Sequence, residues 1–414
     1  MNILFLTDNF PPEGNAPANR TFEHCTEWQK KGAQVTVITC APNFPKGKVF
    51  EGYKNKLYQT EMMDGVKVIR VWSYISANQG TFKRTLDYLS FCIMSFFASL
   101  FVKTDIIIAT SPQFFTAISG YFAALFKRKP WIMEVRDLWP ESIKAVNAIN
   151  QSKVIDFLEK VELFLYRKAN RVVVVTEAFK KNIIERGIDP VKIDVIKNGV
   201  VLDKYQAQEK DLDLLKKLQL DQKFVLGYLG THGMAHKLDF ILRCAAKVKD
   251  PQIHFLFIGA GAMKETLVQL KEELQLSNVT MLPPIPKKEV VDYISIIDVA
   301  LVPLKKSDTF KTVIPSKIFE NAAMGKPIFL GVEGESQAII EKYEAGLCFE
   351  PENEADFLMK LTQLKNDQTR FAAYKKGCSV LAKDFSRKKL AARMFLIICK
   401  IIPGVSQLKK QESI

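Results

Sequence analysis

No two cysteines in this sequence stand as a Cys-x-x-Cys pair. The seven (Cys25, Cys40, Cys92, Cys244, Cys348, Cys378 and Cys399) are scattered and odd in number, which argues against a disulfide framework or a zinc centre and for a reducing cytosol. A long apolar run is missing as well. The segment that stands out for hydrophobicity, Leu89–Val102, is free of charge but falls short of the ~20 apolar residues of a spanning helix. The first residues, Met1–Asp8, lack the basic prelude and cleavage site of a signal peptide and read as a first strand. Short-period repeats and low-complexity tracts are also missing. The net charge is +14, spread over both halves of the chain, yet no aromatic–basic interleaving or recognition motif accompanies it. That disfavours nucleic acid and leaves an anionic membrane face or polyphosphate ligands as partners.

What is present is a repeated α/β pattern. A chain of 414 residues is too long for one ordinary core, so two domains are expected. In the first half, Ile3–Thr7, Gln34–Thr39, Val66–Trp72, Asp105–Thr110, Pro130–Val135 and Arg171–Thr176 read as strands. Several are apolar without alternation, as parallel strands covered on both faces are. Helical patterns such as Ala18–Lys31 and Asp156–Lys168 intervene, predicting a doubly wound sheet. The pattern restarts after Gly199, with strands expected at Lys223–Leu229, Ile253–Ile258, Val279–Leu282, Val299–Pro303, Ile328–Leu330 and Leu347–Phe349. Residues 1–198 thus form one domain and residues 199–386 a second. A final helix at about 387–414 crosses back to the first. Leu89–Val102 is either a buried helix of the α/β layer or an interfacial one flanked by cations; the run Met394–Ile402 poses the same choice and leans toward membrane contact.

The stretch Ile314–Pro327 organises the chemistry. Pro315 suits a first helical turn, Ile318, Phe319, Ala322 and Ala323 share a face, and Gly325 ends the helix. Ser316, Lys317 and Glu320 remain at its start, where N–H groups and the helix dipole favour an anion. A capped helix with a local Lys–Glu pair is the alternative. The Gly-rich turn Gly227–Asp239 offers Gly230, Thr231, His232, His236 and Lys237 as phosphate donors. His232 and His236 lack a third ligand, which disfavours a metal. The run Phe257–Lys264 resembles a dinucleotide fingerprint but has Lys264 where the third glycine belongs, which disfavours NAD. Pro283–Pro286 either frames a flat base through Ile285 or is a stiff connector. In the first domain the loop Phe10–Pro17 follows the first strand, and Glu134–Ser142 places four charges at a strand's end: Asp137 for a sugar hydroxyl, Arg136 for a phosphate, or a structural network. Thr110 and Ser111, just before Pro112, add hydroxyls to the same rim.

Taken in order, these stretches resemble the GT-B glycosyltransferases of family 4 over essentially the full length, and within them the bacterial O-antigen and colanic-acid transferases, including those that handle N-acetyl-L-fucosamine. The matching residues are Asn43–Lys48 with Gly52 and Tyr53, Ala109–Phe115, Val135–Ser142, Val173–Glu177, Asn198–Val200, Pro315–Glu320 and Gly334–Ser336. The resemblance implies a metal-independent, retaining transfer of a sugar, an N-acetylated deoxy-hexose from a UDP donor, to a polyprenyl-diphosphate-linked glycan at the inner membrane surface. It assigns Ile285 to the base, Glu320 to the ribose, and Ser316, Lys317 and the Gly230 loop to the phosphates. Gly14, Asn15, Arg20, Ser111, Arg136 and Asp137 fall to the acceptor, and Asp137, Lys317 and Glu320 to catalysis. No cofactor is implied. Two departures stand out: Thr312 occupies the place of a second Glu common in the family, and Thr231 and His236 stand where an Arg and a Lys are usual. A catalytically silent sugar-nucleotide-binding subunit is the alternative reading, and an epimerase is disfavoured because a suitable carboxylate and His set is lacking.

Overall fold

The computed structural model describes residues 1–76, 81–111, 113–138 and 152–402. Pro112, the Trp139–Ser142 part of the strand-end motif, and everything beyond residue 402 of the expected final helix lie outside the described residues. The chain divides into two units: Met1–Asn198 with the segment that begins at Arg387, and Gly199–Ser386.

The first unit holds eight strands: β1 Asn2–Leu6, β2 Gln34–Cys40, β3 Tyr58–Met63, β4 Val66–Val71, β5 Ile106–Thr110, β6 Trp131–Val135, β7 Arg171–Val174 and β8 Ile193–Val195. They lie in the order β3-β4-β2-β1-β5-β6-β7-β8, parallel except for β3, which runs antiparallel to β4. The order reverses between β2-β1 and β5, which sets a ligand crevice outside the carboxyl ends of these strands. Edge strands β3 and β8 were not expected. An edge strand needs no continuous apolar run; β3 alternates half-buried and exposed residues, and β8 is only three residues long.

Helices α1 (Ala16–Lys30), α2 (Thr81–Leu100), α3 (Phe114–Lys127), α4 (Ser152–Lys168) and α5 (Glu177–Glu185) alternate with these strands. On one face Ile3, Phe5, Val37 and Ile108 pack with α1 and the last helix. On the other Leu4, Leu6, Ile107 and Met133 pack with α2, α3, α4 and α5. The last helix, Arg387–Ile401, lies on α1, and the Trp28 indole donates to the Ala391 carbonyl at 2.9 Å. This corrects the lean toward membrane contact at Met394–Ile402: Met394, Phe395, Ile398, Cys399 and Ile402 are buried in the first core. In Leu89–Val102, Phe91, Ser95, Ala98 and Ser99 are buried, as the reading of a helix in the α/β layer expects, while Leu89, Ile93 and Phe97 on the opposite side of α2 are exposed.

The second unit is a six-stranded parallel sheet: β9 Phe224–Leu229, β10 Ile253–Ile258, β11 Val279–Leu282, β12 Val299–Pro303, β13 Ile328–Gly331 and β14 Gly346–Cys348, ordered β11-β10-β9-β12-β13-β14. Its helices are α6 Leu212–Lys217, α7 Leu238–Lys247, α8 Lys264–Glu273, α9 Val290–Ser295, α10 Asp308–Lys311, α11 Lys317–Ala323, α12 Glu335–Tyr343, α13 Glu354–Asn366 and α14 Gln368–Asp384, and the last helix, Arg387–Ile401, is α15. α6 falls within the polar stretch 202–221 that precedes β9. Helix α11 starts two residues later than Pro315 predicts. Pro315 and Ser316 form the preceding tight turn, with the Ile318 and Phe319 amides donating to their carbonyls at 3.2 and 3.0 Å. Ile318, Phe319 and Ala322 are buried, and Phe319 stacks on Phe385 at 4.8 Å, so the apolar face fixes how the polar start of α11 is held.

Candidate functional site

In the second unit the carboxyl end of β9 is the focus. The loop after it runs beside the loop after β10 as if the parallel ladder continued. Gly230 donates to the Ile258 carbonyl, His232 to Ala260, and Met263 to His232, each at 2.9 Å. Only glycine allows this approach: a Cβ on Gly261 would stand 2.4 Å from the His232 carbonyl oxygen. Gly230, at φ +144°, makes room on its other side, where a Cβ would stand 2.6 Å from Lys317 Cε and 2.7 Å from Nζ. The Lys317 ammonium therefore lies against bare backbone.

Its other neighbour is the Tyr228 ring, with Nζ 3.5 Å from the centroid. The Tyr228 hydroxyl donates to the Thr231 carbonyl at 2.6 Å, and burial holds it protonated far above the usual range. The His232 and His236 rings flank the same tyrosine at 5.9 and 5.7 Å. Among the described residues Lys317 Nζ is buried and makes no hydrogen bond, and both ring nitrogens of His232 are likewise unpartnered. Burial lowers the Lys317 pKa to about 7, although Glu320 favours the charged form. Burial, with Lys317 beside them, lowers both histidines to about 4, so they are neutral at pH 7. A cation held by a π face, a glycine backbone and neutral imidazoles, with its hydrogen-bonding capacity unused, is suited to an incoming anion.

The expected donor set is thus brought together at Gly230, His232, His236, Lys317 and Glu320. Lys237 is the exception. Its Nζ pairs with Asp239 at 3.1 Å and Glu352 at 3.8 Å, and its φ of +47° turns the chain into α7. Between His236 and Lys237, His236 is the one beside Lys317. Thr231 is exposed, Ser316 is half-buried without a side-chain cap, and Ile285 rests half-buried on the second unit's core between exposed prolines. Thr312, at the departure from the family pattern, gives its hydroxyl to the Thr309 carbonyl at 2.9 Å. Sequence reasoning missed Tyr228. Its place in the apolar strand β9 hides it, although its position two residues before Gly230 sets it at the strand's carboxyl end.

In the first unit the ends of β5 and β6 carry a buried charge network. Glu134 accepts from Arg20 Nε at 3.1 Å and from the Thr110 hydroxyl at 2.7 Å. Burial raises its pKa, but Arg20 and Arg136 outweigh this and the net shift is downward. Arg20 is fully buried and donates also to the carbonyls of Ile196 and Lys197 at 2.8 Å. This corrects its assignment to the acceptor: its guanidinium ties α1 to β6 and to the strand-end segment after β8. Asn15 is likewise used locally, its Oδ1 capping α1 through the Ala18 amide at 3.0 Å, and Gly14 lies exposed just before it. Ser111 accepts from the Arg136 amide at 2.8 Å. Arg136 differs from Arg20, because its Nε and Nη1 are buried without a partner among the described residues, and burial lowers its pKa to about 9. Asp137 follows it, half-buried.

A carboxylate group at the end of β1 was also missed. Burial, then Asp87 and Glu13, raise the Asp8 pKa to about 7, and burial raises Asp87 to about 6. Glu13 is buried, accepting from the Asn43 and Phe44 amides at 2.8 Å each. A lone Asp after a first strand carries no sequence signal of this, since Asp87 comes from α2.

Residues 18–204 match the model of Glycosyltransferase Family 4, and residues 210–381 that of Glycosyl transferases group 1. TuaH of Bacillus subtilis (strain 168), a glycosyltransferase assigned to teichuronic acid biosynthesis, is 28% identical over 50% of this chain and 51% of its own. The D-inositol 3-phosphate glycosyltransferase of Rhodococcus jostii (strain RHA1) is 27% identical over 51% of this chain and 48% of its own. The chain thus spans about half the length of the curated relatives it matches. Among solved structures, Anabaena HepE in complex with UDP superposes with a TM-score of 0.72 at 17% identity, covering 97% of this chain and 100% of that one. Sucrose-phosphate synthase from Thermosynechococcus elongatus superposes at 0.76 and 15% identity, covering 96% and 98%. With one family model on each parallel-sheet unit, this chain belongs to the GT-B glycosyltransferases.

Proposed function

We propose that this chain transfers a sugar from a UDP-linked donor, with retention of configuration, to a polyprenyl-diphosphate-linked glycan on the inner face of the cell membrane, in the synthesis of a surface polysaccharide such as O-antigen or capsule. The observation that carries the reading is Lys317: a buried ammonium without a hydrogen-bond partner among the described residues, set against Gly230 and Tyr228 at the carboxyl end of β9. Negative charge grows on the diphosphate as the sugar leaves, and a preorganised cation in a poorly hydrated site stabilises it most at that moment. The neutral His232 and His236 offer donors without adding like charge beside Lys317. Glu320, one helical turn on, accepts from ribose hydroxyls, and Ile285 borders the base.

The leaving diphosphate oxygen takes the acceptor proton on the same face, so the step needs no protein base, and Lys317 supplies the positive charge without a bound metal. Arg136, with two unused N–H groups, is the first unit's cation for an acceptor phosphate, with Asp137 at a sugar hydroxyl. UDP in the HepE crystal structure supports a uridine donor, and the teichuronic acid assignment of TuaH supports a glycan product. An N-acetylated deoxy-hexose is the sugar we propose. Purified protein incubated with UDP-sugars and a polyprenyl-diphosphate-linked sugar tests the reading by mass spectrometry. A product heavier by one sugar with equimolar UDP release is expected; UDP-sugar bound but never consumed would support a silent binding subunit instead.

A further inference from the structure

Helices α2, α3 and α4 cover one face of the first sheet; the outer sides of α2 and α3 are largely apolar where solvent-facing helix sides are normally polar, and α4 sets exposed Phe157 and Phe164 among Lys153, Asp156, Lys160, Arg167 and Lys168. On α2 and just past its end the exposed residues Leu89, Ile93, Phe97 and Phe101 recur every fourth position, with Phe101 86% exposed. Helix α3 adds Phe122, Leu125 and Phe126, the last 67% exposed, and α4 adds Phe157 at 64% and Phe164 at 41%. Ring contacts join them into one surface: Phe96 meets Phe122 at 6.4 Å and Phe126 at 5.4 Å, and Tyr121 meets Phe164 at 5.3 Å. Scattered exposed hydrophobics are ordinary, but a contiguous patch of this kind marks an interaction surface. The opposite face of the same sheet shows no such patch, since Leu396 is the single large hydrophobic exposed on α1 and α15.

Charge completes the picture. From Thr81 to Lys129 the chain carries six Lys and Arg against two acids. At the carboxyl ends of α2 and α3 a groove of about 500 Å³ is lined by Leu100, Lys103, Thr104, Asp105, Phe126, Lys127 and Lys129. Its one acid is already engaged, Asp105 accepting from the Asn2 amide at 2.8 Å and side chain at 3.1 Å. Burial, and Lys129 beside it, lower the Lys127 pKa, so an anion between these cations is favoured. No described helix is long and apolar enough to cross a membrane.

We infer that the outer faces of α2, α3 and α4 dock on an anionic phospholipid bilayer, with the groove at Lys103, Lys127 and Lys129 receiving a lipid phosphate. The aromatic stripes enter the boundary between headgroups and acyl chains while the cations stay at headgroup level. This surface deepens the membrane part of the proposed function but shares no residue with the donor site, so each can fail alone. Transfer to a soluble acceptor analogue reads the chemistry without the membrane.

The test is co-sedimentation of the full chain, without donor, with vesicles of phosphatidylcholine alone or mixed with phosphatidylglycerol. Binding is expected only to the anionic vesicles, weakening as salt rises. The variant Phe97→Ser/Phe101→Ser/Phe126→Ser is expected to lose at least ~90% of the bound fraction with its melting temperature kept, since these side chains are exposed. The variant Lys103→Gln/Lys129→Gln is expected to lose roughly fivefold per cation removed. Free inorganic phosphate should not compete at concentrations matching the lipid phosphate. Equal binding to both vesicle types, no binding at low salt, or full binding by both folded variants would overturn the proposal. So would an aromatic variant whose one change is the loss of a dimer in sedimentation velocity, which would assign the patch to a second copy.

Discussion

Lys317 carries the largest unspent capacity among the donor-site residues. Its ordinary pKa of 10.5 falls to about 7 in the fold, so from about pH 7 to 10.5 the unfolded chain binds more protons and stability from this residue rises with pH. A bound diphosphate restores the proton. UDP binding at about pH 8 should therefore take up close to one proton, and affinity should fall up to about tenfold per pH unit above 7. Calorimetry in buffers of different ionisation enthalpy measures this uptake, and Lys317→Ala should abolish it. Asp8 has the opposite sign. With its pKa raised from 3.8 to about 7, the folded state holds a proton that the unfolded state has lost, and stability falls as pH rises between these values. Asp8→Asn should raise the melting temperature at about pH 8 and leave it nearly unchanged at about pH 4; an equal shift at both would separate Asp8 from this titration. Glu320→Ala should weaken UDP binding roughly ten- to a hundredfold, the ~1.5–3 kcal/mol of hydrogen bonds to a charged group, with the fold intact.

Between elements, Gly230 connects the β9 loop to α11. An added methyl strains the backbone at both glycines, at φ +144° and +159°; on Gly230 it meets the flexible side-chain end of Lys317, whereas on Gly261 it strikes the His232 backbone. Gly230→Ala should therefore impair UDP binding more than stability, and Gly261→Ala should lower the melting temperature markedly; melting curves beside UDP titrations separate the two. Helix α15 offers a second contrast. Ile398→Ala should cost ~2–5 kcal/mol in denaturant unfolding, while Leu396→Ala, on the exposed side, should stay within ~0.5 kcal/mol. Helices and central strands were legible because continuous apolar runs such as Ile106–Thr110 admit few other assignments. Edge strand β3 was not legible, because it buries too little to leave a pattern. The membrane lean at Met394–Ile402 failed because a helix packed on both α1 and a sheet reads, from composition alone, like one packed on lipid.

Over the whole chain, the restart of the α/β pattern after Gly199 was visible because each unit repeats strand, turn and helix in register with its own sheet. The proposed donor residues were legible as neighbours, since Gly230, His232, His236, Lys317 and Glu320 all follow the carboxyl ends of strands in one sheet. Their roles were less legible. Lys237 and Arg20 look like ligand cations in the sequence, and only the positions of Asp239, Glu352 and Glu134 show that their charge is already met. Lys317 stands apart because no hydrogen bond among the described residues meets its charge. The most direct measurement is calorimetric titration of UDP into the wild-type chain and into Lys317→Ala, each with a melting curve. The account predicts micromolar-class binding by the wild type, a loss of roughly tenfold or more in the variant, and a variant at least as stable, since a buried unpaired cation has been removed. Equal affinity in the two proteins, or a destabilised variant that still binds UDP, would contradict it.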